Sequence, residues 1–213
     1  MVNRYGKRFA NEADSYHDVG QAMLRDAPPG EEVFAWLLAD HKAIRKYGLG
    51  FAKPAPIPLR SALRSGYLKC GKTLSELARK IGVSGTVLHQ TVQAYNGPAA
   101  QGEDPQFNRG ANSYNRFLGD PEHKPNPCVA PLDMGPFYAI KVVIGDLGTF
   151  AGLKTDAQAR VLDESGKSIM GLYAVGNDAL SIMGGNYPGG GITLGPAMTF
   201  GYLAGEHLAG TKE

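Results

Sequence analysis

Apolar residues repeat at helical spacing in one stretch of the chain, where start and stop signals frame them. A capping box, Thr73-x-x-Glu76, opens this stretch, and Gly82 ends it. The apolar positions between them fall at steps of one, three and four residues: Leu74, Leu77, Ala78 and Ile81. Ser84 can cap a second helix, whose apolar face would consist of Val87, Leu88, Val92 and Tyr95. The pattern predicts a pair of consecutive helices.

The residues before this pair alternate between helical and strand-like patterns. Residues 18–25 predict a short helix, which Pro28, Pro29 and Gly30 end. Residues 33–39 form an apolar run of strand length, and a helix over residues 40–47 is expected to follow. A connection that contains several prolines, residues 52–59, then leads to the helical pair.

The second half of the chain contains longer irregular segments. Residues 96–136 are rich in Gly, Pro, Asn and Asp, which predicts a long ordered loop with a functional or connecting role. Residues 137–144 predict a buried strand. Residues 153–170 alternate polar and apolar positions around a turn at 164–166, which predicts a β-excursion. A strand at 172–175, a glycine-rich loop and a helix that begins near Leu194 complete the chain.

Composition and charge exclude several classes of protein. The 213 residues are 43% hydrophobic and 20% charged, which indicates a globular protein. A net charge of +2 is too small to suggest nucleic acid or an acidic membrane as partner. The longest apolar run, residues 33–39, is far shorter than the ~20 residues of a membrane span. With no visible signal peptide, we expect a soluble, cytoplasmic protein.

Neither the cysteines nor the histidines are spaced like metal ligands. Cys70 and Cys128 match no metal or redox pattern, so free thiols are expected. The five histidines are scattered along the chain. No metal site is predicted.

The helical pair could be mistaken for a helix-turn-helix motif. In such a motif the second helix enters the major groove and contacts bases and phosphates. Here the second helix carries no Lys or Arg, so it cannot neutralise phosphates. Two packed helices are the better interpretation.

The glycine-rich segment 171–205 is the strongest candidate for a functional site. Glycines allow a backbone to approach a planar ligand, and a helix start offers N–H groups to electron-rich oxygens. Tyr187 lies in the middle of this loop, between Asn186 and Pro188. The segment could be a cofactor cradle with a catalytic tyrosine, or a loop whose aromatic ring only covers a surface. Near the start of the chain, residues 3–12 are compatible with a turn and a solvated charged segment.

Several long segments together resemble one superfamily. They include NRYGKRFANEADSY, TLSELARKIGV, GDPEHKPNPCVAPLDMGPFYAIKV and YPGGGITLGPAMTFGYLAG. In order and spacing they are similar to the C-terminal part of the FAD-dependent fumarate reductase/3-ketosteroid dehydrogenase superfamily, over nearly the whole chain. The resemblance implies an α+β fold with two parts: most of a substrate-capping domain over residues 1–145, and the C-terminal strand–loop–helix segment of a GR2-like Rossmann FAD-binding domain over residues 146–213.

Two branches of the superfamily differ in the loop around Tyr187. Fumarate reductases typically carry an arginine at this position and histidines near the segment matching residues 147–152, which here has none. The Tyr-Pro-Gly-x-Gly pattern is similar to that of 3-ketosteroid dehydrogenases. That resemblance implies that Tyr187 and the Gly191 N–H hold the ketone of the substrate, that Tyr16 accepts a proton, and that the flavin accepts a hydride. It also implies flavin contacts from four further residues: Gly176, Asn177, Thr193 and Leu194.

The chain lacks the dinucleotide fingerprint GxGxxG, which the resemblance would place before residue 1. We therefore expect a truncated reading frame that is inactive alone, and self-association through uncovered apolar faces. Two other functions stay open. One is a fumarate/succinate-type reductase of another unsaturated substrate, and the other is a non-catalytic binding or scaffold remnant.

Overall fold

A computed structural model of the chain describes residues 1–210 and divides the protein into two compact units, Met1–Ile144 and Gly145–Glu213. Helices and antiparallel strands occur in both units, so the predicted α+β class is confirmed. The assignment of these parts to a capping domain and a flavin domain stays a prediction.

The first unit is built on a three-stranded antiparallel sheet with the last strand in the centre. The strands are β1 (Phe34–Ala39), β2 (Leu68–Gly71) and β3 (Phe137–Val143), and their order is β1-β3-β2. In this register Leu37 of β1 and Leu68 of β2 both face Ile140 of β3. Six helices accompany the sheet: α1 (Tyr16–Asp26), α2 (His41–Tyr47), α3 (Arg60–Arg64), α4 (Leu74–Ile81), α5 (Gly85–Ala99) and α6 (Ser113–Phe117).

The core of this unit lies on both faces of the sheet. Successive side chains of a strand point to opposite faces, and β3 follows this rule. Ala139 packs in a cluster with residues of α4 and α5, including Leu77 and Leu88. Its neighbours on either side, Tyr138 and Ile140, pack in a second cluster that includes Ile44 of α2. Helices therefore cover both faces, and the alternation in β3 separates the two layers.

The predicted helical pair is present as α4 and α5. The Thr73 hydroxyl accepts a hydrogen bond from the Glu76 N–H at 3.1 Å. The Glu76 carboxylate accepts from the Lys72 N–H at 2.6 Å, one residue before the position that a standard capping box would use. Gly82 ends α4 in the left-handed conformation, with φ of 74°. Local capping signals thus set the bounds of α4.

The sequence predicted one long loop over residues 96–136, but the structure contains helical segments there. Helix α5 continues to Ala99 through Pro98, and α6 forms further along. The Asn96 side chain accepts from the Leu132 N–H at 2.8 Å and donates to the Leu132 carbonyl at 2.9 Å. These bonds and the burial of Ala99 hold the last turn of α5 in place. The turn was not predicted because its stability comes from tertiary contacts, which composition does not show.

Three other expectations need correction. Helix α3 and strand β2 lie between the proline-containing connection and α4, where no element was predicted, because both are too short to show a period. Strand β3 is buried only in its first half, and Val143 is 58% exposed. In the second unit, the strand predicted at 172–175 ends earlier, at Tyr173.

The second unit contains a hairpin followed by a long loop and a helix. The hairpin strands are β4 (Arg160–Leu162) and β5 (Ser168–Tyr173), and the last helix is α7 (Leu194–Leu208). The predicted turn is present, because one Asp163 carboxylate oxygen accepts from the backbone N–H groups of Ser165 and Lys167. A hydrogen bond of 2.7 Å between the Tyr173 hydroxyl and His207 Nδ1 links β5 to α7.

Candidate active site

Tyr187 and Gly191 both lie in the glycine-rich loop of the second unit, just before α7. The Tyr187 side chain is half-buried, and Gly191 is exposed with φ of 100°. The loop is tied to the helix by a hydrogen bond of 2.7 Å from the Gly195 N–H to the Gly191 carbonyl. A β-carbon built on Gly191 would meet no atom within 4 Å, so the loop surface at this glycine is open.

The start of α7 is open as well. Thr193, the residue before the helix, makes no side-chain capping hydrogen bond. Leu194 and Met198 lie one turn apart on α7, and both are largely exposed. The Gly195 N–H already bonds the Gly191 carbonyl and Pro196 has no N–H, so the helix start offers mainly the positive end of its dipole, with an uncovered apolar face, next to the tyrosine loop.

Asn177 lies in a 3₁₀ turn, Gly176–Asp178, that packs tightly against residues 148–153. A β-carbon at Gly148 would come within 2.7 Å of Asn177 Nδ2. The Leu153 N–H donates to the Asp178 carbonyl at 2.8 Å. Gly176 has a positive φ of 62°, which allows the sharp change of direction after β5. These contacts hold the turn against residues 148–153, while Asn177 as a whole stays exposed.

Tyr16 belongs to the first unit, where it is the first residue of α1. Ser15 caps this helix, because its hydroxyl accepts from the Asp18 N–H at 3.2 Å and donates to the Asp18 carboxylate at 2.9 Å. The Tyr16 side chain is 54% exposed. The cap thus presents the tyrosine at the surface of its unit.

A buried cluster of charges lies close to Tyr16 in sequence and was not predicted. Arg8 binds Asp104 through two hydrogen bonds of 2.7 and 2.8 Å. It binds Glu12 through two more, at 3.0 and 2.9 Å. The three side chains are 5%, 2% and 6% exposed, respectively. The guanidinium also lies 4.9 Å from the ring centres of Tyr95 and Phe107. The interpretation of residues 3–12 as a solvated segment is therefore wrong.

The charges in this cluster stabilise one another. Burial alone would raise the pKa of Glu12, but the chain's ammonium group, Arg8 and Arg109 hold it well below its ordinary value. Burial likewise opposes ionisation of Asp104, yet its hydrogen bonds with Arg8 lower its pKa. The four-residue spacing of Arg8 and Glu12 was visible in the sequence, whereas Asp104 is 96 positions away from Arg8 and gave no local signal.

Within residues 1–210, no group of His, Cys, Asp and Glu side chains is arranged to hold a metal ion. In the same part of the chain, no helix has the length and apolar character needed to cross a membrane.

Comparison with known proteins identifies the class of protein to which this chain belongs. A sequence profile described as "FAD binding domain" matches residues 1–194. The chain belongs to this FAD-binding family.

The relatives are named as dehydrogenases. The chain is 52% identical to a 4-oxocyclohex-2-ene-1-carboxylate 5-dehydrogenase of Sinomonas cyclohexanicum, covering 98% of this chain and 35% of the relative. It is 45% identical to a 4-oxocyclohexanecarboxylate 2-dehydrogenase of the same organism, covering 99% and 36%. A solved 3-ketosteroid delta1-dehydrogenase from Sterolibacterium denitrificans, in complex with 1,4-androstadiene-3,17-dione, is similar with a TM-score of 0.89 and 44% identity, covering 99% and 38%. The chain thus spans about a third of the length of these relatives.

The residues of the second unit fit one side of an FAD site. The exposed glycine backbone at Gly191 leaves room for a planar ring, since no atom lies where a side chain would be. The uncapped start of α7 suits an electron-rich ring edge, and exposed Leu194 suits an apolar ring face. The dinucleotide-binding fingerprint GxGxxG is not in this chain.

Proposed function

We propose that this chain is part of an FAD-dependent dehydrogenase that introduces a double bond next to the carbonyl of a cyclic ketone. The observation that carries the proposal is the loop that presents Tyr187 and the open backbone of Gly191 immediately before α7. A tyrosine hydroxyl and a backbone N–H are both hydrogen-bond donors without charge, which suits a ketone oxygen.

Desaturation removes a proton from the carbon next to the carbonyl and a hydride from the adjacent carbon. In the proposed mechanism, the Tyr187 hydroxyl and the Gly191 N–H donate to the carbonyl oxygen and stabilise the negative charge that develops on it. Tyr16, ionised, accepts the proton at its phenolate oxygen. When bound, FAD supplies the two-electron acceptor for the hydride. The backbone of Gly176, Asn177, Thr193 and Leu194 would hold the flavin.

The same residues argue against a dicarboxylate substrate. A dicarboxylate needs cationic partners, which arginine supplies best in a bidentate geometry. The loop has Tyr187 in the position where fumarate reductases typically carry arginine, and residues 147–152 contain no histidine. A neutral ketone is the better match for this loop. A scaffold without activity would not need an open glycine beside a tyrosine.

The proposal predicts a substrate preference. The enzyme that contains this chain, loaded with FAD and supplied with an artificial electron acceptor, should oxidise a 3-ketosteroid or 4-oxocyclohexanecarboxylate and should not oxidise succinate. Reduction of the acceptor gives the rate, and mass spectrometry shows the loss of two hydrogens from the ketone. Turnover of succinate, with no turnover of either ketone, would show that the fumarate/succinate-type function is the correct one.

Two neighbouring glycines provide a matched test of the oxyanion role. A β-carbon would meet no atom within 4 Å at either Gly190 or Gly191, but only Gly191 has a positive φ. Gly191→Ala should therefore strain the backbone by about 1–2 kcal/mol or move the N–H, and kcat should fall roughly 5- to 30-fold. Gly190→Ala should leave kcat within about twofold. Equal kcat values for the two variants would remove the Gly191 N–H from the mechanism.

A further inference from the structure

The first unit contains an open surface cavity of about 710 Å³ that is lined by three arginines and a histidine. Its polar wall consists of His41, Arg45, Arg60 and Arg64, and two prolines and two leucines form the rest of the lining. The lining includes no acidic residue. A volume of this size is in the range of small-molecule sites.

The basic side chains of the lining come from two helices and follow the same spacing. His41 and Arg45 are four residues apart on α2, and Arg60 and Arg64 are four residues apart on α3. Residues four apart share one helix face, where like charges destabilise the helix. Arg60 and Arg64 form such a pair of like charges, Arg45 brings a third guanidinium to the same cavity, and an anion in the cavity would relieve their repulsion.

His41 and Arg45, the pair on α2, are held in place by hydrogen bonds. Arg45 Nη1 donates to the Ile57 carbonyl at 2.8 Å. His41 Nδ1 lies 3.1 Å from the Tyr138 hydroxyl, and its ring stacks on the Tyr138 ring. Among residues 1–210, no ion pair is formed by Arg45, Arg60 or Arg64 (the described ion pairs use other cations). Their charges are therefore available to a ligand.

We infer that this cavity binds the carboxylate of a small organic acid with an apolar body. Guanidinium groups bind carboxylates through paired, charge-assisted hydrogen bonds, which a neutral ligand cannot form. Leu59 and Leu63 lie four residues apart beside the arginines and offer an apolar wall to a hydrocarbon ring. The carboxylate preference follows from the residues that line the cavity, whereas the choice of a cyclohexane ring as the probe rests on the proposed function.

Calorimetric titration of the full chain tests the inference without requiring turnover. The probes are cyclohexanecarboxylate and the neutral cyclohexanecarboxamide. We expect the wild type to prefer the carboxylate, and the double variant Arg60→Gln/Arg64→Gln to bind it about tenfold more weakly or worse. Arg79→Gln, which changes another exposed arginine, on α4, should bind like the wild type. Because Arg60 and Arg64 are exposed, we expect the variants to fold, and circular dichroism checks this.

The inference would be overturned by equal affinity for the carboxylate and the amide, or by unchanged carboxylate binding in the double variant. Tighter binding of inorganic phosphate than of cyclohexanecarboxylate would also overturn it, because it would show a site for phosphate.

Kinetics of the FAD-loaded enzyme then show whether the bound carboxylate belongs to the substrate or to a separate organic acid. If it belongs to the substrate, the double variant raises KM for 4-oxocyclohexanecarboxylate but not for 3-oxosteroids. If it belongs to a separate organic acid, both KM values stay unchanged while binding is lost. Either result supports an organic carboxylate site. Carboxylate binding without any dehydrogenation would contradict the proposed function alone.

Discussion

We expect the Tyr187→Phe variant of the FAD-loaded enzyme to lose about 10²- to 10³-fold in kcat on a cyclic ketone. The substitution keeps the ring of this half-buried side chain and removes only the hydroxyl. One donor to a developing oxyanion contributes about 3–4 kcal/mol to stabilisation of the transition state. KM should change much less, because the charge on the ketone oxygen is small before the proton leaves.

The control for this prediction is a tyrosine outside the loop. Tyr5 is exposed, lies in the first unit and has no assigned role, so Tyr5→Phe should leave kcat within about twofold. Steady-state kinetics with an artificial electron acceptor measures both variants. If Tyr187→Phe retains the wild-type kcat, then the ring only covers a surface and the catalytic assignment is wrong.

The second large effect concerns stability. We expect Arg8→Met to lower the free energy of unfolding of the first unit by about 3–5 kcal/mol, because it leaves two buried carboxylates, Glu12 and Asp104, without their shared partner. Trp36 is the single tryptophan of the chain and is buried in this unit, so its fluorescence during urea titration reports the unfolding.

A second arginine provides the matched comparison. Arg4 pairs with Glu31, which is more than half exposed, and such pairs contribute about 0–1 kcal/mol. Arg4→Met should therefore change the free energy of unfolding far less than Arg8→Met does. Equal losses in the two variants would contradict the stabilising role of the buried cluster. In the Arg8→Met background, Asp104→Asn should recover part of the stability, because Asp104 would no longer be a buried carboxylate without its guanidinium partner.

The sequence predicted those parts of the fold whose signals are local. The α4–α5 pair was visible because Thr73, Gly82 and Ser84 mark its ends and because its apolar residues repeat. Strand β2 was not visible, since four residues are too few to show alternation. It forms because β3, which lies far along the chain, provides a partner for its hydrogen bonds.

The candidate site, like the fold, could be predicted only where the signals are local. The glycine loop and the start of α7 could be predicted from composition and pattern, while the roles of Tyr187 and Tyr16 came only from the family resemblance. The buried cluster could not be predicted, because Arg8 and Asp104 meet only in the folded chain. The four-residue spacings of His41 with Arg45 and of Arg60 with Arg64 can be seen in the sequence, but only packing brings α2 and α3 to one cavity.

The central position of β3 has a consequence for synthesis of the chain. Neither β1 nor β2 pairs with the other, and both pair with β3, which is the last strand of the first unit to leave the ribosome. While about a hundred further residues are synthesised, β1 therefore lacks the partner for the edge that later pairs with β3, and its apolar face stays uncovered. Such an intermediate is a target for chaperones and for aggregation, and its lifetime is set by the rate of translation.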